Sequence, residues 1–150
     1  MKTYFHYAVT PLTVCILALA LLTPGGNAFA EQKQILGDYE VHYMVVNSTF
    51  FTPEVARNYG LVRSRYNALV NVAVLDKTSK KALDVALSGK ATNLLGTAKE
   101  LKFKKVKEGD AIYYLATLPV DDAEIYRFNI DIQIGNNRKQ LKFQQKIYLD

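Results

Sequence analysis

The chain has 150 residues, a formal charge of +5, one cysteine and two histidines. A single thiol, Cys15, excludes a disulfide framework and cysteine-based metal centres. Charge is also unevenly placed: Lys2 is the only charged side chain before Glu31, so the first thirty residues differ in kind from the rest.

In that leading stretch the apolar run Leu12 to Leu22 is followed by the breakers Pro24, Gly25 and Gly26, and then by Ala28-Phe29-Ala30. This order predicts an export signal cleaved after Ala30. The apolar run is shorter than the ~20 residues that span a bilayer, so no transmembrane span is expected after cleavage, and the expected location is periplasmic. Residues 1–30 are therefore read as a cleaved signal peptide and 31–150 as one domain. About 120 residues suffice for a single core without disulfide or metal. Cleavage removes Cys15 and His6 and leaves His42 and Met44 as the only histidine and methionine.

Glu31 to Gly37 is polar and is expected to form a loose leader. From Tyr39 the apolar side chains recur at Tyr39, Val41, Tyr43 and Val45, with Glu40, His42, Met44 and Val46 on the other face; this is the period of a strand. Thr52-Pro53-Glu54 is a helix start, in which Thr caps, Pro fits the first turn and Glu favours the positive end of the dipole. The helix is expected through about Asn58, with Gly60 just past its end. Leu69 to Leu75 reads as a strand covered on both sides.

Asp76 to Lys81 is a polar turn and Ala82 to Leu95 is mostly extended. In Lys99 to Lys107 the alternation of Leu101 and Phe103 is lost at Val106, which predicts a bulge at Lys104-Lys105. The density of lysine there suits a protected edge strand. Ala111 to Leu118 is apolar on both faces. Ile125 to Ile134 alternates cleanly, with Tyr126, Phe128, Ile130, Ile132 and Ile134 inward, and Gly135-Asn136-Asn137 turns it into a return strand from Lys139 to Leu149.

About seven strands with turns at short intervals predict an all-β fold, an antiparallel β-sandwich with one short helix in its first long connection. Asp122 to Phe128 resembles the immunoglobulin-like pattern that opens the sixth strand, in which a tyrosine hydroxyl bonds back to the chain at a corner. The resemblance implies an immunoglobulin-like sandwich whose disulfide is replaced by apolar packing, with Phe128 at the position of the second cysteine.

Catalytic signatures are missing. No G-x-S-x-G accompanies any serine, there is no P-loop or G-x-G-x-x-G, and a Ser-His-Asp group would depend on His42 alone. Asp121, Asp122 and Glu124 do not have EF-hand spacing. The chain is therefore expected not to be an enzyme and to require no cofactor. His42 and Met44 share one strand face with Glu40, which offers imidazole and thioether for copper, but no further soft ligand exists to complete the site.

The remaining concentration of binding chemistry is the connection Asn47 to Tyr66. Its Phe50, Phe51, Arg57, Tyr59, Arg63, Arg65 and Tyr66 mix aromatics with guanidinium groups, a composition suited to binding hot spots and anion recognition. An equally direct account is that the phenylalanines plug one end of the sandwich and the arginines are solvated or paired.

Asp38-Tyr39-Glu40-Val41-His42-Tyr43, Val46-Asn47-Ser48-Thr49-Phe50, Pro53-Glu54-Val55-Ala56, Tyr59 and Arg63-Ser64-Arg65 are together similar to the proteobacterial domain-of-unknown-function family 4426. The resemblance runs through the whole mature chain and implies a small exported periplasmic protein without an established activity. It singles out Asn47, Ser48, Pro53, Tyr59, Arg63 and Ser64 as pattern positions, for fold or for function. The expected function is a non-enzymatic interaction module whose partner is an envelope protein or an anionic envelope component, and not nucleic acid. The alternative is a periplasmic metal-handling protein that binds copper through His42 and Met44.

Overall fold

The computed structural model describes residues 32–149; the leader, its apolar run and the cleavage point lie outside them. Nine strands are formed: β1 (Gln32–Leu36), β2 (Tyr39–Asn47), β3 (Asn67–Asp76), β4 (Ala86–Asn93), β5 (Ala98–Leu101), β6 (Lys104–Glu108), β7 (Ala111–Pro119), β8 (Glu124–Ile134) and β9 (Asn137–Ile147). A helix, α1 (Pro53–Tyr59), follows a single 3-10 turn at Ser48–Phe50. Every ladder is antiparallel. The strands make two sheets, β1-β2-β3-β7-β6 and β5-β4-β8-β9, packed as a sandwich.

Period-two patterning explains the layers. Val41, Tyr43 and Val45 of β2 and Val70, Val72 and Val74 of β3 turn inward, and so do Tyr126, Phe128, Ile130 and Ile132 of β8. The layers interlock through aromatics: Phe143 stacks on Phe128 at 4.5 Å between centroids and lies 4.4 Å from Tyr43 of the opposite sheet. At the corner before β8, Tyr126 is fully buried and its hydroxyl donates to the Glu124 carboxylate, while the Lys99 ammonium donates to it at 3.0 Å. The Asp121 backbone amide also reaches this oxygen, and burial pushes the phenol above its ordinary range.

Two expectations need correction. Residues 32–36 are not a loose leader: they form β1, paired with β2 through a turn in which Gly37 takes φ +71°. The side chains there are mostly exposed, so what holds the strand is backbone pairing to an otherwise open sheet edge, which hydrophobic alternation does not report. The loss of phase near Lys104 is a change of sheet, not a bulge. β5 is an edge of the smaller sheet, β6 an edge of the larger, and Lys102-Phe103 carries the chain between them. These two differences raise the expected seven strands to nine. The extended stretch from Ala82 is also narrower than expected, since Leu94 and Leu95 form a turn outside β4.

Candidate functional site

The connection between β2 and β3 folds back over the outer face of the larger sheet. Its helix is specified locally: the Thr52 hydroxyl accepts from the Val55 amide, Pro53 opens the first turn, and Gly60 closes the helix at φ +66°, ψ +36°. Leu61 donates back to the Ala56 carbonyl at 2.8 Å, and Ala56 is buried against the fold. The conformation of Gly60 is open to glycine at little cost.

Polar side chains lock this arrangement. Ser48, 3% exposed, donates its hydroxyl to the Ser64 carbonyl and accepts from the Ser64 amide, each at 2.9 Å. Arg63 donates from Nε to the Phe51 carbonyl at 2.6 Å and from a terminal nitrogen to the Thr49 carbonyl at 3.2 Å. Asn47 donates to the Tyr148 carbonyl at 2.8 Å, fastening the end of β2 to the tail of β9. Lys104 of β6 donates to the Tyr59 carbonyl at 3.2 Å and tethers the helix end. Four of the residues singled out in the sequence, Asn47, Ser48, Arg63 and Ser64, thus serve the geometry of the connection.

The others divide between an inner and an outer surface. Phe51 and Tyr59 point down and, with Leu61, roof a cleft of about 170 Å³ whose floor and walls are Met44, Leu69, Asn71, Val106, Glu108, Tyr113 and Leu115. Phe50, Arg57, Arg65 and Tyr66 face solvent. Phe50 lies edge-to-face with Phe51 at 5.5 Å, and the Arg65 guanidinium sits 5.4 Å from the centre of the Tyr66 ring. Arg63 is thus committed to the backbone, whereas Arg65 is applied to a ring.

Asn71, Leu69 and the β6–β7 residues of the cleft escaped the sequence reading. Asn71 carried the available signal, as the one amide in a row that is otherwise Leu69, Ala73 and Leu75. Its Oδ1 is sealed from solvent and accepts no hydrogen bond among the described residues, an uncommon condition for a buried acceptor.

Further along the same face, Glu40 is 5% exposed and gathers cations: Lys80 donates to one carboxylate oxygen, and His42 Nε2 lies 2.7 Å and Lys33 Nζ 3.6 Å from the other. The Lys80 and His42 hydrogen bonds pull the carboxyl down to about 2. Met44, two residues beyond His42, belongs to the cleft. No group of three or more His, Cys, Asp or Glu side chains is placed to hold a metal ion among the described residues. Asp122 instead accepts from the Leu149 amide at 3.0 Å, and Glu124 is held by Asn93 and Tyr126. No described helix is long and apolar enough to cross a membrane.

In comparisons with known proteins, the profile of DUF4426, a domain of unknown function, matches residues 33–150. The crystal structure of a DUF4426 family protein from Pseudomonas aeruginosa shares 38% identity at a TM-score of 0.72, over 80% of this chain and 96% of that one. The fold is also similar to FetP of uropathogenic E. coli strain F11, at 12% identity and a TM-score of 0.60, over 81% of this chain and 95% of that one. A copper-bound variant of FetP gives 13% identity, a TM-score of 0.60, and coverage of 81% and 92%. None of the curated proteins matches the chain.

Proposed function

The chain belongs to the DUF4426 family of unknown function, and from that premise we propose that it is an exported, non-enzymatic binding module of the cell envelope, with its ligand site in the cleft beneath the Asn47–Tyr66 connection. The observation that carries this reading is an apolar recess with an unpartnered acceptor in its lining. A small apolar body suits the recess, and one that carries a hydroxyl or N–H donor would meet the Asn71 acceptor once the side-chain amide turns toward it. At about 170 Å³ the recess is smaller than the ~300–1,000 Å³ of sites for drug-sized ligands, so the fitting ligand is a single ring or a short aliphatic chain. The lining has no histidine and a single carboxylate, Glu108, which supports binding over acid–base catalysis.

Met44 provides the test, because a labelled methionine methyl in the cleft is read without interference once Met1 is removed. Titration with phenol, indole and toluene should move the Met44 methyl saturably, with Asn71→Leu weakening phenol more than toluene. A Met44 signal unmoved by millimolar concentrations of all three would end the reading.

The second reading, copper handling through His42 and Met44, is favoured by their shared strand face and by the fold held in common with FetP. The donor set is incomplete, however. Glu40 is already held by Lys80, Lys33 and His42, and a cation placed there would meet two ammonium groups. Titration with Cu(I) and Cu(II), followed at the Met44 methyl and His42 ring, decides it: binding tighter than about micromolar advances copper, and its absence removes it.

A further inference from the structure

The two ends of the sandwich differ in a way that the cleft does not use. Of seven exposed large hydrophobic side chains among the described residues, all but Ile35 belong to segments that meet at one end, where β2, β4, β7 and β9 finish and β3, β5 and β8 begin. The most prominent are Leu94, 56% exposed, and Leu95, 91% exposed, at the tip of the β4–β5 turn. This turn is held firmly. Asn93 is buried and accepts from the Gly96 and Thr97 amides, through its carbonyl and side chain at 3.1 and 2.8 Å, while its own amide group binds Glu124. A built turn that displays two leucines to solvent is an unfavourable arrangement unless something receives them.

The surroundings indicate what receives them. Tyr66 and Tyr148, each more than half exposed, flank the end, and each is overlaid by a cation, Arg65 at 5.4 Å and Lys146 at 4.9 Å. Neither cation makes an ion pair among the described residues. The described acids at this end have partners within the chain: Asp121 lies 3.8 Å from the Lys99 ammonium, Asp122 accepts from the Leu149 amide, and Glu124 is held by Asn93 and Tyr126. Behind the tip, the outer face of the smaller sheet carries Lys90, Arg127 and Lys142, exposed and likewise without ion pairs; Asp131 on that face is bound to Arg138, and Glu100 lies across the ladder from Lys90. Aliphatic tips, then tyrosines, then cations is the depth order of a bilayer surface, from acyl boundary through interface to anionic headgroup.

We propose that this end of the sandwich docks on an anionic phospholipid bilayer, with Leu94 and Leu95 entering the headgroup boundary and Arg65 and Lys146 meeting lipid phosphates. The proposal rests on the envelope-binding role given above but uses a separate surface, so the Met44 titration and the lipid assay fail independently.

The test is co-sedimentation of a chain beginning at Glu31, which retains every described strand, with vesicles of phosphatidylglycerol and phosphatidylethanolamine or of phosphatidylcholine alone. Wild type should partition onto the anionic vesicles and be released by high salt. Leu94→Asp with Leu95→Asp, both at an exposed turn, should lower partitioning at least about tenfold. Arg65→Glu with Lys146→Glu should abolish the preference for anionic lipid with the fold unchanged by circular dichroism. Equal, weak sedimentation with both vesicle types would overturn the proposal, and so would anionic binding that survives the leucine variant. A self-association abolished by that variant in analytical ultracentrifugation, without lipid binding, would assign the surface to a second copy instead.

Discussion

Replacing Ser48 by alanine removes one oxygen but orphans two backbone groups. The Ser48 hydroxyl satisfies both the amide and the carbonyl of Ser64, at 2.9 Å each, from a site only 3% exposed. A net hydrogen bond contributes ~1 kcal/mol and a buried group left without a partner costs ~1–3 kcal/mol, so Ser48→Ala should weaken the closed connection by about 2–3 kcal/mol. The loss is expected to be local. Amide exchange at Ser64 should accelerate about thirtyfold or more, since 1.4 kcal/mol is a factor of ten, while the core amides of β3 and β8 change far less. Ser64→Ala is the control: it removes only the bond from the Tyr66 amide to the Ser64 hydroxyl, at 3.1 Å, and should cost roughly 0.5–1 kcal/mol. Native-state hydrogen exchange by NMR reads both. Unchanged protection of the Ser64 amide in Ser48→Ala would refute the assignment of Ser48 as the lock.

Gly89→Ala should destabilise the domain by about 1–3 kcal/mol in urea unfolding, because a Cβ there would lie 2.7 Å from the Asn129 carbonyl oxygen and 3.0 Å from Ile130 Cα, neither of which can turn aside. The Glu40 carboxyl, held at about 2 against an ordinary 4.5, should contribute stability that is complete above pH ~4.5 and lost as pH falls towards 2. Glu40→Gln should therefore be less stable than wild type near neutrality, with the gap closing across that window; a gap independent of pH would contradict it. Tyr126→Phe, which removes the hydroxyl shared by Glu124, Lys99 and the corner, should cost about 1–2 kcal/mol by urea denaturation.

The elements with strong alternation were legible from the sequence. β2, β3, β8 and β9 each bury one face against the opposite layer, and the Thr52-Pro53-Glu54 start and Gly60 stop of α1 are local chemistry. β1 was not legible, because its stabilisation lies in main-chain pairing along an edge. The crossing at Lys102-Phe103 was read as a bulge because a change of sheet and an inserted residue shift the side-chain phase alike. At the connection, composition drew attention to the segment, but roles depended on direction. Arg63 turns back onto two carbonyls while Arg65 faces water, and Ser48 is sealed under the loop; nothing in the order of residues separates these fates. Asn71 becomes part of a recess only because Phe51 and Tyr59 close over it, a contact made by tertiary folding.

The crossing at Lys102-Phe103 also bears on how the chain reaches this state. The larger sheet is completed when β3 finds β7, pairing Val72 with Tyr114, and the smaller when β4 finds β8, pairing Ala91 with Phe128. Each closure spans tens of residues, and the two loops overlap along the chain, both enclosing β5, the crossing and β6. Local hairpins such as β8–β9 can form early, but the crossing divides both sheets: β6 and β7 of the larger lie after it, and β4 and β5 of the smaller lie before it. The domain should therefore fold and unfold as one cooperative unit, on the millisecond-to-second scale of topologies dominated by distant pairings, and cutting the chain at the crossing should leave two fragments that are each unfolded alone.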